Sequence, residues 1–263
     1  FDNYRDYKFA EMGRFDYTPQ DCANFHDAIA KEIVPIITSF EKKRKEKLGY
    51  DTYKAWDRMV NTDGLTPLKP FDGQKELTEK SIQCLKQLKA YFGDCISLMN
   101  EMQHLDLESK KGKAPVAFCA PLHETGSSFI FMNAIGSQMD ITTMIHEAGH
   151  AIHGFLMKDL KIKFKLTSEL AELASMTMEL LSMDYWNMFY KNKNDIKRAK
   201  EDLLQRVLYL LPIIAAVDKF QHWIYTTQHN AKEREKKWLE IESEFGNQII
   251  NYDNQEDMLA NHW

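Results

Sequence analysis

The chain has 263 residues, of which 44% are hydrophobic, so it can bury a core and fold as a globular protein. Its 34 basic and 39 acidic residues give a formal net charge of −5, and the lack of a basic excess argues against nucleic acid as a partner. The sequence also lacks the roughly 18 consecutive apolar residues that a membrane-spanning helix requires, which argues against a membrane protein.

The sequence contains four cysteines at scattered positions without a CxxC pair: Cys22, Cys84, Cys95 and Cys119. A chain of this length needs no disulfides for stability, so we expect reduced thiols and a cytoplasmic location. Residues 1–17 lack the apolar run of a secretory signal. We expect one domain over residues 1–263, and we expect it to be incomplete at its start because the first residue is Phe1 and not a methionine. The sequence does not indicate an oligomeric state.

Glycine and proline are scarce, so most of the chain is predicted to be helical. The first strong signal is Thr18 followed by Pro19, which is typical of a helix N-cap and its first helical residue. Apolar residues then recur at helical spacing, and we expect this helix to end near Gly49. Two more helices are predicted around residues 82–88 and 96–102 from the same spacing.

Two short apolar runs at residues 116–119 and 128–132 are separated by glycine and proline and predict a small β-hairpin. Asp140 is then expected to cap a helix that continues to about Met157, and Ser168 to open another. The rest of the chain is predicted to be helical, with residues 203–223 mostly buried.

The helix predicted after Asp140 contains the motif HExxH, in the form His146, Glu147, Ala148, Gly149 and His150. Residues four apart lie about 40° apart around a helix and one turn apart along it, so both imidazoles can hold one ion. Glu147 lies beside that line, where it can take a proton from a water molecule on the metal. The motif therefore indicates a zinc hydrolase with His146 and His150 as ligands and Glu147 as the base.

Two histidines leave at least one ligand to be identified. A metzincin site would need a glycine at the position of His153 and a third histidine at that of Leu156, so that pattern fails. His153 lies about two turns from His146, which is too far for both to bind one ion with His150. We therefore interpret His153 as a packing residue or one that supports a ligand.

The next predicted helix offers three carboxylates, Glu169, Glu172 and Glu179. Its other residues are largely apolar, and a carboxylate on a buried helix is costly unless it is paired or bound to metal. We favour Glu172 as the third ligand, with Glu169 or Glu179 accepting a hydrogen bond from a ligand histidine.

Residues 146–153 (HEAGHAIH) and 172–179 (ELASMTME) resemble the M3 family of zinc oligopeptidases, and within it oligoendopeptidase F. The resemblance extends over most of the chain. Further similar stretches lie at residues 17–19, 106–115, 129–133 and 217–221.

This resemblance implies a mainly α, gluzincin-type catalytic domain with a small β-hairpin beside a deep active-site channel. It implies a zinc endopeptidase that hydrolyses short peptides, because folded proteins cannot enter the channel. It also makes Glu172 the third zinc ligand and suggests that the edge of one strand, at residues 116–119 or 128–132, aligns the substrate backbone.

Members of the family usually continue into a segment with a histidine and several tyrosines that bind substrate, so the resemblance implies that the domain over residues 1–263 is incomplete at its end as well as at its start. The residues near the end of this chain do not match that segment, and we expect surface or packing roles for them: His222, Tyr225, His229, Tyr252 and His262. An alternative is therefore a non-catalytic or fragmentary relative that binds zinc and peptide, although the intact Glu147 favours a peptidase. A deformylase-type hydrolase is a weaker alternative, because its cysteine ligand has no counterpart near the motif.

Overall fold

A computed structural model describes residues 1–158, 160, 166–246 and 249–253. The chain divides into two compact units, which we call unit 1 (Phe1–Leu65 with Leu204–Trp263) and unit 2 (Thr66–Leu203). The expected single catalytic domain over residues 1–263 stays a prediction.

Helices dominate both units, which confirms the mainly α class. In the described residues they are α1 Tyr4–Met12, α2 Pro19–Ala28, α3 Val34–Leu48, α4 Gly73–Leu88, α5 Ala90–Glu101, α6 Gln138–Met157, α7 Ser168–Ser182, α8 Lys193–Thr226 and α9 Ala231–Phe245. A π-helical segment, Ile29–Ile33, joins α2 to α3, and short 3-10 helices lie at Ala55–Met59 and Met183–Met188. No helix within these described ranges is both long and apolar enough to cross a membrane.

Helix α2 begins where the sequence predicts it. The Thr18 side chain accepts a hydrogen bond from the backbone N–H of Asp21, and the Asp21 carboxylate accepts one in return from the backbone N–H of Thr18 at 2.8 Å. This reciprocal pair satisfies two backbone donors that a helix start otherwise leaves unpaired. The predicted end near Gly49 is also confirmed, because Gly49 caps α3 in the left-handed conformation with φ 69°.

The core of unit 1 contains one stripe of α8, with Ala215, Ala216 and Phe220, packed with buried residues of α9 and with Ile29. The prediction that residues 203–223 are mostly buried is wrong. Ile213, for example, is 58% exposed. The buried positions follow helical spacing, so a single face of α8 packs against this core and the other apolar residues lie outside it.

Unit 2 contains a three-stranded sheet in the order β1-β3-β2: β1 Leu105–Glu108, β2 Phe118–Leu122 and β3 Ser127–Ala134. Strands β2 and β3 pair antiparallel, which confirms the predicted hairpin, although β2 begins at Phe118 and not at residue 116. Strand β1 pairs parallel to β3 and was not predicted.

Helix α6 starts one turn earlier than expected. Ser137 is the N-cap, and Asp140 is the third helical residue, whose carboxylate accepts hydrogen bonds from the backbone N–H groups of Ser137 (2.7 Å) and Ile135 (3.0 Å). The prediction of Asp140 as the cap is therefore wrong in position. Its carboxylate still binds the helix start, as the acidic third residue of a capping box does.

Helices α6 and α7 pack closely at Gly149. A Cβ atom at this position would lie 2.7 Å from the Cα atom of Ser175, so only glycine allows α7 to approach this near. The face of α7 toward Gly149 contains Ser175 and Met178, and Leu170 and Leu173 on its other sides are 52% and 61% exposed. The expectation that α7 is a buried helix is therefore wrong.

Candidate metal centre

Helix α6 presents His146 and His150 one turn apart on the same face. Their ring centroids lie 4.8 Å apart with the ring planes at 83°, and both side chains are partly buried. This is the arrangement that the four-residue spacing predicts, because residues i and i+4 of a helix lie one above the other. Both imidazoles line one cavity of unit 2.

Helix α7 brings Glu172 to the two histidines. One carboxylate oxygen of Glu172 lies 3.3 Å from Nε2 of His146, and the other lies 3.6 Å from Nε2 of His150. Nitrogen and oxygen ligands of a tetrahedral zinc ion, each about 2.0–2.2 Å from the metal, are roughly 3.3–3.6 Å apart. The three side chains therefore offer donors of the right type at spacings that fit one zinc ion, and ligand atoms from all three lie within 4.8 Å of one another.

Glu179 lies two helical turns after Glu172 and contacts the Nδ1 atom of His146. Its Oε1 lies 2.6 Å from Nδ1 of His146. With Nδ1–H donating to this carboxylate, the lone pair of Nε2 points toward Glu172 and is available for a metal. Burial lowers the pKa of the His146 imidazole, but the hydrogen bond and charge of Glu179 outweigh that effect and the pKa is raised.

Glu147 also lines the cavity and is 6% exposed. Burial raises the pKa of its carboxyl above the usual value, and the charge of His146 only partly offsets this. A buried carboxylate beside the two imidazoles is a suitable proton acceptor for a reaction at a metal ion that their Nε2 atoms could hold.

The remaining candidates lie outside this cluster. His153 lines the same cavity one turn beyond His150 but does not belong to the three-residue group, as the sequence interpretation expects. Glu169 is exposed at the start of α7, so of the two carboxylates proposed as histidine partners, it is Glu179 that contacts His146.

Burial and the nearby His146 lower the pKa of His150.

The cavity has a volume of about 1130 Å³ and is bounded on one side by β2. Residues 117–119 and 121–122 of this segment contribute to its wall. Within the described part of the chain, β2 pairs with β3 alone and so forms one edge of the sheet. Ile130 and Phe131, in the other predicted run, pair with both β1 and β2, which leaves no free edge there.

The histidines and tyrosines near the end of the chain belong to unit 1. His222 and Tyr225 lie in α8, and His229 follows it. His229 Nε2 is 2.9 Å from the carbonyl of Ile224, and its ring stacks on Trp223, which agrees with a packing role. His262 lies outside the described residues.

A family model for peptidase family M3 matches residues 1–261. The chain belongs to peptidase family M3. A solved structure of PZ peptidase A with an inhibitor is 29% identical, has a TM-score of 0.89, and is matched over 100% of this chain and 46% of its own. A protein from Bacillus anthracis str. Ames, provisionally named an oligoendopeptidase F, is 26% identical with a TM-score of 0.86, over 99% of this chain and 48% of its own.

Among curated proteins, oligoendopeptidase F from Lactococcus lactis subsp. cremoris is 25% identical over 170 residues. The match covers 62% of this M3 chain and 26% of the relative. The matched residues therefore cover about a quarter of this curated relative, and the chain spans just under half of the length of the solved structures.

Sequence reasoning missed two features of this M3 site. Gly149 lies between His146 and His150, but its contact with Ser175 depends on tertiary packing that spacing does not reveal. His123 and Glu124, in the turn between β2 and β3, also line the cavity. Their only sequence signal is their place in a predicted hairpin, which does not indicate which way the turn faces.

Proposed function

We propose that the chain is the catalytic part of a zinc-dependent endopeptidase that hydrolyses short peptides. The observation that carries this proposal is the position of the Glu172 carboxylate between Nε2 of His146 and Nε2 of His150. His146, His150 and Glu172 would hold the zinc ion. When bound, zinc acts as a Lewis acid toward the peptide carbonyl and lowers the pKa of a water ligand to about 7.

The side chains around this cluster have separate tasks. Glu147 takes a proton from the attacking water and passes it to the amine that leaves, so its carboxylate must be close to both the ligands and the cavity. Glu179 keeps Nδ1 of His146 protonated and fixes the ring orientation through the 2.6 Å hydrogen bond. The buried position of Glu147 excludes bulk water from the proton transfer.

The edge of β2 supports a peptide as the substrate. An extended peptide can add to a strand edge through main-chain hydrogen bonds, which depend little on its side chains. Such binding would lay the peptide along the cavity wall, and a cavity of about 1130 Å³ has room for a short peptide segment but not for a folded domain. We therefore propose oligopeptides of varied sequence as substrates.

The comparisons support the same reaction class. The relatives are named as peptidases or as oligoendopeptidase F. The region that the family model matches includes His146, Glu147, His150 and Glu172. A donor set of two imidazoles and one carboxylate is also typical of catalytic zinc sites that keep a position open.

The test is incubation of the protein with a mixed peptide library, with and without a chelator, followed by mass spectrometry of the products. We expect internal cleavage that stops with the chelator and returns when zinc is added back. The Glu147→Gln variant serves as the matched control for a contaminating peptidase. Zinc and peptide binding without any cleavage would favour the alternative of a non-catalytic relative, and cleavage that is insensitive to chelation would overturn the proposal.

A further inference from the structure

A second group of metal-binding side chains lies in unit 1. Cys22 and His26 are one turn apart on α2, and Asp218 and His222 are one turn apart on α8. Residues i and i+4 share a helix face, so each helix presents a pair of side chains in the same direction. Pairs of ligands from facing helices are a common way to build metal sites between helices.

The other three side chains surround the carboxylate of Asp218. Nε2 of His26 lies 2.7 Å from Oδ2 of Asp218, and Nε2 of His222 lies 3.5 Å from the same oxygen. Ligand atoms of Cys22, Asp218 and His222 all lie within 4.8 Å of one another. The His26 side chain is nearly fully buried, and that of His222 is 16% exposed.

A hydrogen-bond network alone explains only part of this arrangement. The 2.7 Å hydrogen bond from His26 and the nearby ring of His222 explain two neighbours of the Asp218 carboxylate, but a thiol is a weak hydrogen-bond donor and adds little to such a network. Thiolate, imidazole and carboxylate together are instead a donor set that zinc binds well. Tetrahedral zinc with these ligands needs donor atoms roughly 3.3–3.8 Å apart, which small side-chain rotations can reach from the present spacing.

We propose that Cys22, Asp218 and His222 form a second zinc site that is independent of the cluster on α6 and α7. His26 is a positioning residue, whose ring N–H donates to Asp218 and orients its carboxylate. Asp218 remains 32% exposed, so a solvent molecule can complete the coordination. Binding forms a zinc–sulfur bond, and the proton of the Cys22 thiol is released to solvent.

The sulfur donor gives this site a signature that the first site lacks. Cobalt(II) bound to a thiolate produces a strong charge-transfer absorption in the near ultraviolet, whereas His146, His150 and Glu172 contain no sulfur. We expect the metal-depleted protein to bind about two equivalents of cobalt and to develop this absorption as the second site fills. The Cys22→Ser variant should lose the absorption and retain about one equivalent.

Matched controls separate this site from other thiols and from loss of folding. Cys119→Ser should keep the absorption, although Cys119 lines the cavity of unit 2. His222→Asn should lose the second equivalent independently of the cysteine, and His26→Gln should weaken metal affinity at this site by roughly 10–100-fold. Circular dichroism checks that each variant is folded. If either Cys22→Ser or His222→Asn is not folded, the metal content of the other variant tests the site.

Two results would overturn the second site. These are the absence of the charge-transfer absorption at saturating cobalt, or an absorption that persists in folded Cys22→Ser. Because every measurement concerns metal binding and not peptide hydrolysis, failure of this inference leaves the proposed peptidase function unaffected.

Discussion

Glu147 is the residue whose substitution should separate metal binding from hydrolysis. Glu147→Gln keeps the side-chain shape but removes the proton acceptor, so we expect the zinc content to be unchanged and kcat to fall by about 10²–10⁴-fold. Metal analysis after dialysis and rates on one fluorogenic peptide measure the two effects. An active variant with the parent's rate would show that another group accepts the proton.

Glu172 and Glu179 make different contacts, so their substitution should lower the metal affinity to different extents. Glu172→Ala removes the carboxylate that faces both imidazoles, and we expect it to release most of the metal. Glu179→Gln alters only the hydrogen bond to His146, so its metal affinity should fall by roughly 10–100-fold. Competition with a chromophoric chelator measures both affinities.

The exposed Glu169 provides the matched control on the same helix, and Glu169→Gln should bind metal nearly as the parent does. Full zinc occupancy in folded Glu172→Ala would mean that another residue supplies the third ligand. His153 would then be the first alternative to examine.

At the scale of elements, the crossing of α6 and α7 should be sensitive to one methyl group. Gly149→Ala places a Cβ 2.7 Å from the Cα of Ser175, so the helices must move apart, at a cost of about 1–3 kcal/mol. The shift also withdraws Glu172, so metal affinity should fall with stability. Chemical denaturation and metal titration measure the two quantities.

Gly154→Ala is the matched control, because it lies on the same helix and its Cβ would meet Ser128 only at an ordinary 3.5 Å. This variant should be as stable as the parent or more stable by roughly 0.5–1 kcal/mol, since alanine favours a helix over glycine. Equal stability of both variants would mean that the close crossing is not required.

A buried carboxylate fixes the segment after α3 in unit 1. Glu41 is 1% exposed, and its Oε2 accepts a 2.6 Å hydrogen bond from the Tyr53 hydroxyl while its Oε1 faces Arg58. Tyr53→Phe leaves this charge with one donor fewer, so we expect a loss of about 1.5–3 kcal/mol in the free energy of unfolding. Tyr50→Phe, at an exposed position, should change it by less than about 0.5 kcal/mol.

Helix positions and the common face of His146 and His150 in the candidate metal centre could be predicted because they depend on local spacing. Thr18, Gly49 and the four-residue interval between His146 and His150 act within one or two turns of helix. Strand β1 was missed because four residues carry too little periodicity. The burial of α7 was predicted wrongly because an apolar composition does not show which of its residues pack against another element.

The contact between α2 and α8 could not be predicted from the sequence. His26 and Asp218 are separated by 192 residues, and only the fold brings them to 2.7 Å. The choice between Glu169 and Glu179 was likewise left open until the crossing of α6 and α7 fixed which carboxylate reaches His146.

For the whole molecule, zinc should act as a stabilising ligand. A ligand that binds only the folded state adds about 4.1 kcal/mol to stability at 1,000 times its Kd. Calorimetry with zinc and with a chelator should therefore show a higher Tm in the presence of zinc. Glu172→Ala should lose the part of this increase that comes from unit 2, and an undiminished increase would contradict the assignment.

The edge position of β2 also bears on self-association. A strand edge that can accept a peptide can equally accept a strand from another copy of the chain, which is a common route to aggregation. Pro121 lies within β2 and has no backbone N–H to donate, and proline within a sheet is typical of edge strands that avoid further pairing. Because β2 lines the wall of a concave cavity, only a single narrow chain can reach its edge. The same strand can thus stay open to a flexible peptide while resisting the sheet of a neighbouring molecule.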